Sequence, residues 1–218
     1  MPSSGSRPLP SRLYAIVDAD VASRAGWHVP DLADAYLQAG VQLLQVRAKH
    51  ASARDVLAWT EAIARRAGKA WVIVNDRVDI AIVAGTRHVH LGQDDLPVPE
   101  ARALVGPDAV IGLSTHTPDQ IDEACRLPLD YIAVGPVFGT DTKATGYAPV
   151  GTALVSEARR RADAHGGRSL VAIGGITLGM APAVIAAGAD AIVVISDLLA
   201  DGAPGARARA FLHALGEA

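Results

Sequence analysis

The sequence predicts an α/β protein built as a single (β/α)8 TIM barrel, and three observations predict it. Eight short runs rich in Val, Ile and Leu recur along the chain, each followed by a segment with helical spacing. The runs are nearly continuous in apolar residues instead of alternating, as expected of parallel strands buried on both faces. At 218 residues the chain has the length of one such barrel, and no break in composition marks a second domain.

The elements follow one beat. Residues 12–18 form the first strand, and a loop with Trp27 and Pro30 leads to a helix over 31–38 that stops at Gly40. Residues 41–47 are the second strand; Ser52 caps a helix carrying Val56, Leu57, Trp59 and Ile63 that runs to about Gly68. The third strand is 70–74, with a helix over 78–84. The fourth, at 88–91, precedes a helix opened by Pro97-Val98-Pro99-Glu100 and ended near Gly106. The fifth is 109–113, and Thr117-Pro118-Asp119 opens the helix after it. The sixth is 129–134, then a long loop and a helix over 150–164. The seventh is 169–173, with a helix from Thr177 to Ala187, and the eighth is 190–195. A last helix over 204–215 closes the chain. Residues 1–11, rich in Pro, Ser and Gly, read as a disordered tail, and 12–218 as the catalytic barrel domain.

Composition excludes several classes of function. Half the residues are hydrophobic, enough for a substantial core, and the formal net charge of -3 offers no electrostatic reason to expect nucleic acid or an anionic membrane. Cys125 is the sole cysteine, which excludes an internal disulfide and a multi-cysteine metal site; its helical context suits a small core residue. No run of roughly 18 apolar residues reads as a membrane-spanning helix, and the start lacks the apolar core of a secretory signal, so the expected location is cytoplasmic. A homo-oligomer is compatible with the sequence. Arginine outnumbers lysine 17 to 3 and Asn75 is the one asparagine, which singles out Lys49, Lys143 and Asn75.

In a barrel of this kind the active site lies at the C-terminal ends of the strands. Polar groups collect at those ends: Gln45, Arg47 and Lys49; Asn75 and Asp76; Gly92-Gln93-Asp94-Asp95; Ser114-Thr115-His116; the loop Gly135-Pro136-Val137-Phe138-Gly139-Thr140-Asp141-Thr142-Lys143; Gly174-Gly175; and Ser196. Arg47, Lys49 and Lys143 supply three cations for a ligand with several negative charges, most naturally a diphosphate. Asp76 and Asp95 could share one Mg²⁺, which takes carboxylates, substrate phosphates and waters; Asp94 is the competing carboxylate. Gly174-Gly175, ahead of the helix expected at Thr177, is a second phosphate cradle. His90 reads as buried within its strand, and His116 alone among the histidines sits at the rim as an acid or base.

Assembled in order, these residues resemble the thiamine phosphate synthase family. The matching features are Gln45-x-Arg47-x-Lys49, Asn75-Asp76, His90-Leu91-Gly92-Gln93-x-Asp95, Gly112-x-Ser114-x-His116, the loop from Gly135 to Lys143, Ile173-Gly174-Gly175-Ile176 and Ile195-Ser196. Val46 stands where Leu is expected and Gly139 where Pro is common; neither changes a donor or a charge. The resemblance implies a transferase that uses two small phosphorylated substrates. It joins an aminopyrimidine diphosphate to a thiazole phosphate and releases pyrophosphate. Carried over residue by residue, Gln45, Val46, Arg47, Ala48, Lys49, Asn75, Ser114 and Lys143 would hold the pyrimidine diphosphate. Thr140, Asp141, Thr142, Gly175, Ile195 and Ser196 would hold the thiazole phosphate, and Asp76 and Asp95 would bind Mg²⁺. Arg47, Lys49, Ser114 and Lys143 would act in catalysis. The nearest rival is a thiazole tautomerase of the same fold using His116, which has less reason to keep the cation and carboxylate motifs together. A barrel acting on a sugar phosphate and a non-catalytic phosphate-binding protein are further rivals.

Overall fold

The computed structural model describes residues 7–139, 149 and 151–217. Its eight strands are β1 Leu13–Asp18, β2 Leu43–Arg47, β3 Trp71–Asn75, β4 His88–Leu91, β5 Ile111–Thr115, β6 Tyr131–Val134, β7 Ser169–Ile173 and β8 Ala191–Val194. They pair in parallel in sequence order, and β1 pairs β8 to close the barrel. The helices are α1 Ala19–Arg24, α2 Val29–Gln38, α3 Ala53–Arg66, α4 Val78–Val83, α5 Val98–Val105, α6 Pro118–Cys125, α7 Gly151–Ala164, α8 Ala181–Ala186 and α9 Pro204–Ala214.

Two apolar layers hold this arrangement. The outer one lies between strands and helices and includes Leu13, Ala15, Val17, Leu44, Val46, Val72 and Val74. The inner one fills the barrel and includes Tyr14, Ile16, Leu43, Ile73, Val110, Tyr131, Ala133, Val171 and Val193. Side chains alternate along a strand, so inward positions recur every second residue. Continuing each inward series toward the C-terminal mouth leads from Leu43 to Gln45 and Arg47, and from Ile73 to Asn75. It leads likewise from Val110 to Gly112 and Ser114, and from Val171 to Ile173 and Gly175. The barrel floor is apolar and its mouth is polar by the same two-residue count.

Some boundaries differ from the sequence reading, and three matter for function. The segment after β1 is no simple loop: Asp18 accepts a hydrogen bond from Val21 N at 3.0 Å and caps the six-residue α1, too short to show a helical period. β5 runs two residues further than expected because Ser114 and Thr115 pair with Ala133 and Val134, which sets Ser114 inside a strand. The helix expected from Thr177 begins at Ala181, with Pro182 in its first turn, where a missing N–H costs nothing. A short 3-10 turn, Ser196–Leu199, follows β8. At the opposite mouth, residues 7–11 of the expected tail lie against the barrel. Leu9 packs on the inner layer, and Ser11 is buried with its hydroxyl donating to Glu217 at 2.6 Å.

Candidate active site

Strands β1 to β4 present a charged cluster. Arg47 and Asp18 end adjacent strands in register and form an ion pair in which both side chains are largely buried. Asp18 therefore serves two elements, capping α1 with one oxygen and holding Arg47 with the other. Lys49 pairs with Asp76 one strand further on. Asp76 adopts φ 62°, left-handed backbone that aspartate tolerates better than most residues, and its N–H donates to His90 O at 2.8 Å. That turn brings its carboxylate to Lys49. Burial pushes the Asp76 carboxyl above its ordinary value; Lys49 pulls it down, and the neighbouring Asp95 carboxyl pushes it up. Asp95 is in turn held by Gly92 N, which donates to it at 2.7 Å, whereas Asp94 is exposed. Among the described residues the cluster formally sets three carboxylates, Asp18, Asp76 and Asp95, against two cations, Arg47 and Lys49.

Strands β5 to β8 frame a cavity of about 800 Å³ lined by Ser114, His116, Gly174, Gly175, Ile195 and Ser196, among others. Helix α1 closes one side with Val21 and Arg24, joined by its C-cap residue Ala25. Arg24 and Asp197 are the charged residues of the described lining, and Asp197 is already paired with Arg207. His116 Nδ1 lies 2.6 Å from Gly135 O, which can only accept, so Nδ1 carries the proton. The glycines here permit close approach. A Cβ on Gly174 would lie 2.6 Å from Pro136 Cα, and one on Gly175 would lie 2.3 Å from Gly139 O. The loop after β6 thus lies directly on the end of β7, with Phe138 N donating to Gly174 O at 2.9 Å.

The two halves meet at Ser114, which lines the cavity, accepts or donates across 2.9 Å to His90 Nε2, and receives Gln93 Nε2 on its carbonyl at 2.6 Å. Of the residues singled out in the sequence, Gln45, Arg47, Lys49, Asn75, Asp76 and Asp95 fall on the first half and Gly175, Ile195 and Ser196 on the second. Val46 and Ala48 pack their side chains in the outer layer, so only their backbone faces the mouth. Thr140, Asp141, Thr142 and Lys143 lie outside the described residues. Asp18, Arg24 and the buried trio Tyr14, Tyr131 and His90 were not singled out for the site. A polar side chain inside a strand buried on both faces was the available signal for the trio.

Comparison with known proteins decides the family. A family model described as thiamine monophosphate synthase matches residues 13–198. The thiamine-phosphate synthase of Koribacter versatilis is 42% identical over 94% of this chain and 95% of its own. That of Shouchella clausii is 40% identical over 96% and 98%. The chain belongs to the thiamine monophosphate synthase family. It is accordingly an enzyme of thiamine biosynthesis and a transferase. A solved structure of thiamine phosphate pyrophosphorylase from Pyrococcus furiosus superposes with a TM-score of 0.83 at 26% identity, covering 94% of this chain and 95% of its own. A 3-hexulose-6-phosphate synthase aligns with a TM-score of 0.66 at 16% identity, covering 94% of this chain and 99% of its own, a likeness of fold. The sugar-phosphate reading suggested by the barrel alone therefore yields to the synthase family.

Proposed function

We propose that this synthase joins 4-amino-5-hydroxymethyl-2-methylpyrimidine diphosphate to 4-methyl-5-(2-phosphoethyl)thiazole, giving thiamine phosphate and pyrophosphate. The observation that carries this reading is the pair of unlike subsites adjoining at Ser114: a charged cluster on one side and a roomy, largely apolar cavity on the other. The cluster suits the diphosphate. The facing carboxylates of Asp76 and Asp95 would repel a diphosphate alone and favour a divalent cation bound with it. Asp76 and Asp95 are hard oxygen donors beside each other, and the pairing fits Mg²⁺, which needs only one or two protein carboxylates. When bound, Mg²⁺ would supply Lewis-acid stabilisation of negative charge on the departing pyrophosphate.

The chain's own residues do the rest. Arg47, held straight by Asp18, and Lys49 orient the diphosphate and receive its growing charge. Lys143 is assigned the same task. The C–O bond to the diphosphate breaks with its electron pair leaving on oxygen, and the electron-rich aminopyrimidine carries the methylene cation. The thiazole nitrogen, held in the cavity, uses its lone pair to form the new C–N bond. No side chain forms a covalent intermediate. Gly175, Ser196 and Arg24 line the part of the cavity assigned to the thiazole phosphate, where Arg24 supplies the cation.

A second reading, tautomerisation of a thiazole by His116, draws on the cavity position and fixed Nδ1 proton of that residue. Incubation with both substrates separates the two: the synthase releases pyrophosphate, needs both substrates, and loses turnover when Mg²⁺ is withdrawn. Folded enzyme that released no pyrophosphate with both substrates and Mg²⁺ would refute the synthase assignment. We also assign the enzyme to the cytoplasm; among the described residues no helix is long and apolar enough to cross a membrane.

A further inference from the structure

Five side chains cross the barrel interior as an unbroken line of hydrogen bonds. Gln45 Nε2 donates to Tyr14 OH at 2.7 Å, Tyr14 OH and Tyr131 OH are 2.9 Å apart, and Tyr131 OH lies 2.9 Å from His90 Nδ1. His90 Nε2 then lies 2.9 Å from Ser114 Oγ. All five are buried, and Tyr14 and Tyr131 stack edge to face in the inner layer with ring centroids 5.9 Å apart. Burial raises both phenols above their ordinary range, so each keeps its single proton.

Those single protons give the line a direction. A carboxamide NH2 only donates, so the Tyr14 oxygen accepts from Gln45 and sends its own proton to Tyr131. Tyr131, having accepted, donates to His90 Nδ1. The imidazole is then neutral with its proton on Nε2, which donates to Ser114 Oγ. The Ser114 hydroxyl proton is left to point onward into the cavity. The reverse sense would set the Tyr14 hydroxyl and the Gln45 amide as two donors against each other in a dry core, a mismatch of the kind buried polar groups avoid.

We propose that Tyr14, Tyr131 and His90 are positioning residues that fix, together, the polarity of the two ends: Gln45 presents its carbonyl oxygen and Ser114 presents a hydroxyl donor. The inference rests on the assignment of Gln45 and Ser114 to the pyrimidine diphosphate. That ligand fits the polarity at both ends, since its amino group donates and its phosphate oxygens only accept. Because one chain sets both ends, an interruption in the middle is felt at Ser114 although no substrate touches it.

Two measurements test this. In the wild-type enzyme, nitrogen NMR of labelled histidine near neutrality, with His90 identified by its loss in His90→Gln, should report the proton on Nε2. A proton on Nδ1 would reverse the chain and overturn the proposal without any assay of turnover. In kinetics, Tyr131→Phe removes one oxygen at the centre of the line. It should lower kcat/KM for the pyrimidine diphosphate by about 10-fold, the order of one hydrogen bond to a charged group, and leave KM for the thiazole phosphate unchanged. In a Ser114→Ala background the same change should cost distinctly less, because one of the two ends it orients is gone. Equal losses in both backgrounds, or no loss in either, would sink the proposal; Tyr14→Phe gives a second cut with the same expectation. An inactive wild-type enzyme would instead refute the functional assignment, and the tautomer measurement would still stand.

Discussion

At the scale of single residues, the site spends stability on function. Asp76 sits in left-handed backbone and faces Asp95, so two carboxylates share a half-buried position with Lys49. Asp95→Asn keeps an oxygen for Gly92 N and removes one of the facing charges. It should leave the thermal midpoint at or above that of the wild type, yet lower kcat/KM on the order of 10²-fold and raise the Mg²⁺ concentration needed for half-maximal rate. A variant with wild-type Mg²⁺ dependence would remove Asp95 from the metal assignment. Arg24 makes the opposite case. It is exposed, and α1 carries it to the cavity wall, so truncation should spare the fold. Arg24→Ala should raise KM for the thiazole phosphate about 10-fold, the worth of one charge-assisted contact, with little change in KM for the pyrimidine diphosphate. Equal effects on both substrates would move Arg24 out of the thiazole subsite.

At the scale of elements, β5 and β6 show how one small residue makes the polar line fit. A Cβ on Gly112 would fall 2.0 Å from Tyr131 Cζ, so the tyrosine ring occupies the space of a missing side chain. The ring is fully buried and has nowhere to move. Gly112→Ala should therefore destabilise the fold by about 3 kcal/mol, the upper range for overpacking, measured by denaturant unfolding. In a Tyr131→Leu background, where the far end of the ring is absent, the same alanine should be nearly neutral. The eight strands were legible in the sequence because parallel strands covered on both faces read as unbroken apolar runs. The same property hid the parity of those strands: with both faces apolar, no alternation showed which residues point inward. Gln45, His90 and Ser114 were visible as polar residues, but their connection was not, since it runs through Tyr14 on β1 and Tyr131 on β6, which lie far apart in sequence. Helix α1 and the turn at Ser196–Leu199 span barely a turn or so of chain, too little for a period to form. The cavity wall contributed by Arg24 was missed with them.

At the scale of the whole molecule, the barrel separates chemistry from stability by its two mouths. The N-terminal mouth is sealed by structural contacts: Glu217 accepts from Ser11 and from Arg12 N, while Arg102 joins Asp130 at 2.6 Å and Ala109 O at 2.6 Å. His88 begins β4 at this end, packs near Trp71, and accepts Val110 N on Nδ1 at 3.0 Å. Its pKa is lowered first by burial and then by the charge of Arg7, with Asp130 acting in the opposite direction. A histidine depressed below its unfolded value of 6.5 stays neutral in the fold while the unfolded chain takes up a proton first. Its stabilising contribution is therefore complete above that value and is lost as pH falls through the window down to the folded pKa. Within that window the group steepens the pH dependence of unfolding free energy by at most about 1.4 kcal/mol per pH unit. His88→Asn supplies an acceptor that does not titrate, so denaturant unfolding across this window should show a shallower fall than in the wild type. Turnover, governed by the other mouth, should keep its magnitude and its own pH profile. Matching slopes in the two proteins would mean that the titration at β4 is not coupled to folding, and a shifted activity profile would mean that the two mouths are not independent.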